Sequence, residues 1–179
     1  MADRRGLKIA LVATAIGAAA AVGLLSLRHP SSSLAPDFAV PDLAGQAVRL
    51  SAFRGRVVLL NLWTTWCPPC REEMPSMERL YRRLRDRGFV LLAVSQDEGG
   101  TAVVEPFVHE LGLTFPVLVD SEQQVGHRYG VWGYPESFLI DREGRIAERV
   151  IGPRDWASPD QIAAVERLLD ASTPGAPAP

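Results

Sequence analysis

The chain has 179 residues, 47 % of them hydrophobic and 22 % charged, with a net charge of −2. That length fits one domain plus appendages, and the balance is ordinary for a globular protein carrying one apolar extra segment. No basic block stands out, which argues against nucleic acid as a partner.

Residues 1–8 hold Arg4, Arg5 and Lys8 against one acid, Asp3. Ile9–Leu27 follows without a charge, and at ~1.5 Å per residue it spans about 28 Å, close to a bilayer core. Positive charge before the span keeps the N-terminus in the cytoplasm. A cleaved secretory signal is the competing reading, but the run exceeds a usual signal core and no clean small-x-small site follows. We therefore expect a cytoplasmic segment at 1–8, a retained transmembrane anchor at 9–27 and a Ser/Pro linker at 28–36. A globular domain at 37–171 and a disordered Pro/Ala/Gly tail at 172–179 complete the chain. Either targeting reading places the cysteines in an exported, disulfide-permissive space.

Within the domain, Phe38–Val40 and Ala47–Leu50 flank the turn Asp42–Gly45 and read as a hairpin. Val57–Trp63 and Phe89–Ser95 are near-continuous apolar runs, as expected of strands buried on both faces. Between them, Cys67–Arg87 is helical, with Met74, Met77, Leu80, Tyr81 and Leu84 on one face and a stop at Gly88. Strand, helix and strand in that order imply a right-handed parallel crossover. Val103 to Leu111 suggests a second helix, blurred by Pro106. Val117–Asp120 is a short strand and Glu122–Tyr129 a short helix. Ser137–Asp141 and Arg145–Ile151 pair across Arg142-Glu143-Gly144. Ser158-Pro159-Asp160-Gln161 reads as a capping box before a last helix. The fold class is α/β, with helices covering a mixed sheet.

The only two cysteines, Cys67 and Cys70, fall where the first long strand gives way to its helix. Unpaired N–H groups and the macrodipole at a helix start favour a thiolate. Two cysteines three apart on one turn can close a disulfide with little movement. Cys67 is then the exposed nucleophile and Cys70 the resolving thiol of thiol–disulfide exchange. Structural zinc needs about four ligands, and His29, His109 and His127 are scattered. A c-type haem site needs His after the second cysteine, where Arg71 stands. A bridge across so small a loop is a poor staple. No metal and no cofactor beyond the redox-active disulfide is expected.

Val57–Pro75, with Trp66-Cys67-Pro68-Pro69-Cys70 at its centre, resembles the active-site segment of membrane-anchored thioredoxin-like reductases of the TlpA/ResA/CcmG (DsbE) group. Gly130–Asp141 is similar to that group's second signature, and Pro36-Asp37-Phe38 with Leu50–Gly55 to its added N-terminal strand pair. The resemblance covers nearly all of 36–170. It implies a thioredoxin-like fold with an N-terminal β extension and an inserted segment. It implies that Pro135 is cis and that Trp66, Tyr134 and Glu136 border a client groove; read without it, Glu136 is a solvated strand-end charge. Asn61 stands where classical thioredoxins carry a buried aspartate. Glu73 stands where ResA-like members place an acid–base glutamate; its bland reading is a first-turn acid favoured by the helix dipole. Pro68, Pro69 and Pro75 shape the site, Pro75 by kinking the helix.

The function expected is that of an exported, membrane-tethered thiol:disulfide oxidoreductase. By resemblance it reduces apocytochrome c Cys-x-x-Cys-His segments during cytochrome c maturation and draws electrons from a CcdA/DsbD-type membrane thiol relay. The expected location is the inner membrane, single-pass, with the domain on the periplasmic side. The alternatives are general periplasmic exchange, a module that only holds apocytochrome, and a peroxiredoxin. The last uses a Pro-x-x-x-Thr-x-x-Cys pattern that Thr64 and Cys67 fit, with Leu60 at the proline position.

Overall fold

The computed structural model of the protein describes residues 33–171. The expected segments 1–8, 9–27 and 172–179, and the linker up to Ser32, lie outside them. Among the described residues, no helix is long and apolar enough to cross a membrane.

Ala39–Pro41 (β1) and Ala47–Arg49 (β2) pair antiparallel, with Val40 opposite Val48. Asp42 builds the turn between them: its Oδ1 accepts the Ala44 and Gln46 N–H groups at 2.9 and 2.8 Å, the turn chemistry that suits Asp. Gly45, at φ 78°, takes the left-handed position. Val57–Trp63 (β3) then runs parallel to Phe89–Ser95 (β4), in register from Val57 opposite Phe89 to Trp63 opposite Ser95. Pro68–Leu84 (α1) forms the crossover. Thr101–Leu111 (α2), Val117–Val119 (β5) and Gln124–Tyr129 (α3) follow. Glu136–Ile140 (β6), Ile146–Ile151 (β7) and Pro159–Asp170 (α4) complete the domain. The sheet order is β5-β4-β3-β6-β7, with β6 and β7 antiparallel to their neighbours.

Every residue of β3 and β4 is buried because the sheet is covered twice. Val57, Leu59 and Trp63 face Met74, Met77, Leu80 and Leu84 of α1, with Phe107 and Val165. Val58, Leu60 and Leu62, with Phe138 beside Leu60 on β6, face Phe38, Leu50, Val125 and Tyr129. Each fully buried side chain of this size contributes roughly 1.5–3 kcal/mol. Truncating Leu80, which is wholly buried, would cost about 2–5 kcal/mol.

Several element bounds shift from the sequence expectation, α1 ending at Leu84 and not Arg87 and β6 running Glu136–Ile140 and not Ser137–Asp141, and three further differences have a visible cause. Residues at the end of the expected linker already belong to the domain: Leu34 bridges Arg145, the Ala35 N–H donates to Gly144 O at 2.9 Å, and Ala35 is buried. The short helix starts at Gln124, not Glu122, because Asp120 reaches forward to accept the Gln124 and Val125 N–H groups at 3.1 and 2.8 Å. Ser158 does precede α4 with Pro159 at its start, but its side chain makes no capping bond.

Candidate active site

The sheet's carboxyl end carries the site. β3 ends at Trp63, and Cys67 caps α1 four residues later. Pro68 and Pro69 occupy the first two helical positions, where a missing N–H costs nothing. Cys67 and Cys70 are joined in a disulfide with Cα atoms 5.3 Å apart. The Cys67 sulfur accepts the Cys70 N–H at 3.2 Å, so one of the free donors at the helix start points at the sulfur that must carry charge. Cys67, expected to be exposed, is itself buried at 4 % exposure, and Cys70 is fully buried; the strand end and α1 enclose both, and the little solvent access the pair has is at Cys67. α1 continues through Pro75 as one helix.

The loop that delivers Cys67 is tied from β4. Asp97 is buried and accepts from Thr65, at 2.9 Å from its N–H and 2.7 Å from its hydroxyl, and from the Ser95 hydroxyl at 2.7 Å. Behind it, Gln96 donates to Asp120 at 2.9 Å. Asp97 and Gln96 escaped the sequence reading, because polar residues just past an apolar run look like a solvated loop. The Tyr134–Pro135 bond is cis. The Tyr134 ring lies edge-on to Trp66, centroids 6.0 Å apart. Burial, then the charges of Asp120 and Asp97, raise the Tyr134 hydroxyl's pKa and keep it neutral.

Glu73 is not a first-turn acid. α1 begins at Pro68, so Glu73 falls in its second turn, one turn beyond Cys70, and it is 3 % exposed. Its Oε1 accepts Asn61 Nδ2 at 2.9 Å; its Oε2 accepts the Arg154 N–H at 3.1 Å and Trp156 Nε1 at 3.2 Å. Burial outweighs those three donors and pushes the carboxyl up to about 7. Asn61, on the β3 face that packs against α1, also donates to Ser137 Oγ at 2.9 Å. Among the described residues, the buried side-chain polar atoms with no partner are Asn61 Oδ1, Trp63 Nε1 and Thr64 Oγ1. All three lie in the stretch that leads into the cysteines.

Glu136 needs correcting. It is neither a solvated strand end nor an open groove wall: it is 3 % exposed within β6 and ion-paired with Arg149. Arg149 also donates to Gly130 O at 2.9 Å and lies over the Phe138 ring, so Glu136 braces the loop that leads to Pro135. Trp63 is a core residue, whereas Trp66 is 70 % exposed. Trp132 is 96 % exposed and was missed; an aromatic residue in a glycine-bounded loop beside Pro135 was the available signal. A cleft of about 300 Å³ lies between Trp66, His127, Trp132 and Tyr134. A second, of about 420 Å³, lies on the other side of Trp66 against Thr65, Asp97 and Glu98. A third, of about 360 Å³, opens beside Glu73 between Glu72, Arg79, Arg154 and Asp155. Among the described residues, no group of three or more His, Cys, Asp or Glu side chains is placed to hold a metal.

This geometry can be compared with known proteins. The model of the AhpC/TSA family matches residues 32–149. The thiol-disulfide oxidoreductase ResA of Bacillus anthracis is 44 % identical over 118 residues, 66 % of this chain and 68 % of that protein. ResA of Bacillus subtilis is 38 % identical over 118 residues, 66 % and 65 % of the two chains. A crystal structure described as a thiol:disulfide interchange protein DsbE from Chlorobium tepidum superimposes with TM-score 0.68 at 36 % identity. It covers 78 % of this chain and 95 % of that one.

Proposed function

We propose, from the premise that this chain belongs to the AhpC/TSA family and is a ResA-like thiol–disulfide oxidoreductase with a thioredoxin-like fold, that it works as a reductase of client disulfides. The observation that carries the proposal is the placement of Cys67 at the start of α1, its sulfur held by the Cys70 N–H, directly after Trp66, whose ring meets that of Tyr134 in the loop before Pro135. The Cys67 thiolate attacks one sulfur of the client disulfide; the mixed disulfide forms and the other client sulfur leaves as thiolate. Cys70 gives up its proton, its thiolate attacks the Cys67 sulfur, and the second client thiolate departs. The client has gained two electrons, and this chain has become the Cys67–Cys70 disulfide seen here.

Glu73 is the proposed acceptor of the Cys70 proton. It lies one helical turn from Cys70, and a carboxyl raised to about 7 is poised to exchange protons near neutrality. Trp66 and Tyr134 line the proposed client groove with Trp132. The proposed clients are apocytochrome c Cys-x-x-Cys-His segments, and the proposed electron source is a CcdA/DsbD-type membrane thiol relay. The reading places the domain on the periplasmic side of the inner membrane, held by residues 9–27. The charge bias around that apolar run supports the tether, and a tether raises effective concentration at the bilayer without new contacts. The test is an equilibrium with a glutathione or dithiothreitol buffer, together with a deletion strain. A potential near or below ~−270 mV is expected, against ~−120 mV for a strong oxidant. Holo-cytochrome c should fall on deletion and recover with added thiol. An oxidant-like potential defeats the reductase, and normal cytochrome c defeats the client assignment. If a double Cys→Ser variant complements the deletion, the role is holding and not reduction.

One observation favours a second reading, peroxide reduction: Thr64 Oγ1 is buried without a partner three residues before Cys67. Leu60, fully buried where the peroxidase pattern has proline, opposes it. Peroxide consumption with a thiol donor separates the two.

A further inference from the structure

Three hydrogen bonds hold the Glu73 carboxyl, and in all three Glu73 accepts. That set suits the carboxylate. The neutral acid carries a hydrogen of its own and needs an acceptor. The Arg154 backbone and the Trp156 indole offer only N–H groups, so a proton on Oε2 would face two donors. On Oε1 it would face Asn61 Nδ2. The missing acceptor is on the same side chain: Asn61 Oδ1 is buried and has no partner.

We propose that Asn61 follows the proton on Glu73 by turning its side-chain amide over, and so holds the carboxyl in one place in both charge states. With Glu73 ionised, Nδ2 faces Oε1 and Ser137 Oγ, as observed. The reverse orientation would set Oδ1 against a carboxylate oxygen, so the charge on Glu73 fixes the present one. With Glu73 protonated, Oδ1 takes the place of Nδ2. It has two lone pairs and accepts from both Glu73 and the Ser137 hydroxyl, which can donate as well as accept. In either orientation one polar atom of the amide lies unpartnered, so the turn loses no net pairing. An aspartate at this position would add a second charge, and a leucine would serve neither state. Asn61 is thus a positioning residue: it acts on the cysteines only through Glu73.

The other charged groups near Glu73 are Glu72 and Arg79 from α1 and Arg154 and Asp155 from the loop before α4, all lining the cleft beside it. Arg154 is engaged with Glu148 at 3.4 Å and Arg79 with Asp155 at 3.7 Å. β3 and β6 present only the uncharged Asn61 and Ser137. Cys70, the thiol one turn earlier, is oxidised here. The amide therefore has one titrating neighbour that changes what it must be, a donor or an acceptor.

The inference deepens the reading of Glu73 as the acid–base group but does not require that Cys70 supply the proton. Neutron diffraction of the oxidised protein tells amide nitrogen from oxygen. At about pH 9, two units above the Glu73 midpoint of about 7, Nδ2 should face Glu73; at about pH 5, Oδ1 should. In solution, the through-hydrogen-bond coupling between Asn61 Nδ2 and the Glu73 carboxyl carbon should be present at the higher pH and vanish at the lower. Its loss should have the same midpoint as the carboxyl carbon shift of Glu73. An Nδ2 that faces Glu73 at both pH values, or a coupling that survives protonation, overturns the proposal. Both measurements use the unmodified protein, so no loss of fold intervenes. Client reduction left intact in Glu73→Gln, with the amide still turning in the unmodified protein, would defeat only the catalytic reading.

Discussion

The two ends of the central sheet are built to different standards. At the amino end of β3 the chain is fastened wherever it turns. Arg142 donates to Gly55 O at 2.7 Å and to Leu169 O at 2.8 Å. Arg54 bonds the Glu143 carbonyl, and any side chain at Gly144 would collide with the Arg54 guanidinium. At the carboxyl end, two tryptophans stand in solvent and three buried polar atoms go unpaired beneath a disulfide. Buried groups of that kind cost about 1–3 kcal/mol each. A fold tolerates them where chemistry needs groups that change partners, and it offsets them at the other end.

The comparison can be broken hardest at the cysteines. Cys67→Ser should abolish turnover and leave no covalent client complex. Cys70→Ser should also abolish turnover but trap clients on Cys67, visible as adducts on non-reducing gels. Equal trapping by both variants would refute the assignment of roles.

Next comes Glu73. Its folded carboxyl, pushed to about 7, stands above the ~4.3 of an unfolded Glu. Between those values the folded chain binds more protons than the unfolded one. Stability from this group is therefore complete below about 4.3, falls as pH rises toward about 7, and is flat above it. The size is on the order of 3 kcal/mol. Denaturant midpoints of the wild type should carry that fall, and those of Glu73→Gln should lack it. The variant should also flatten the pH profile of Cys67 alkylation. A wild-type curve without the fall would mean that Glu73 stays charged.

At the fastened end, Arg142→Ala should lower stability by about 1–3 kcal/mol through two abandoned carbonyls, with client reduction unchanged at permissive temperature. The smallest effect is expected at the exposed aromatics. Trp132→Ala should weaken client binding by about 1 kcal/mol, roughly fivefold, and move stability by no more than about 0.5 kcal/mol. A stability loss comparable to that of Arg142→Ala would mean that the ring packs instead of binding.

Much of this contrast could be read from the chain before its structure was known. The apolar runs of β3 and β4, the Cys-Pro-Pro-Cys junction and the Met/Leu face of α1 are local patterns, and local patterns survive in a sequence. What stayed hidden depends on distant partners. Glu73 loses its solvent to Arg154 and Trp156, more than eighty residues on. Glu136 looked solvated because Arg149, thirteen residues away, arrives only through the β6–β7 pairing. Asp97 sits just past an apolar run, and nothing nearby in sequence announces that it holds Thr65, thirty-two residues earlier. Trp132 is a different case: its place in a glycine-bounded loop beside Pro135 was a local signal, and its 96 % exposure is set by the fold that leaves that loop uncovered.

The point where the chain enters the domain has its own consequence. Ser33 accepts the Ile146 N–H at 2.9 Å, and Ile146 lies opposite Ile140, itself opposite Val58 at the start of β3. Cys67 lies past the other end of that strand, so the five steps from Val58 to Trp63 alone put about 17 Å of sheet between entry and disulfide. A bulky label fixed at Ser33 itself would therefore sit at the far end of the sheet from the disulfide. The spacing acts as a built-in standoff: the point of entry at Ser33 and the face that reacts lie at opposite ends of the sheet and do not share a surface.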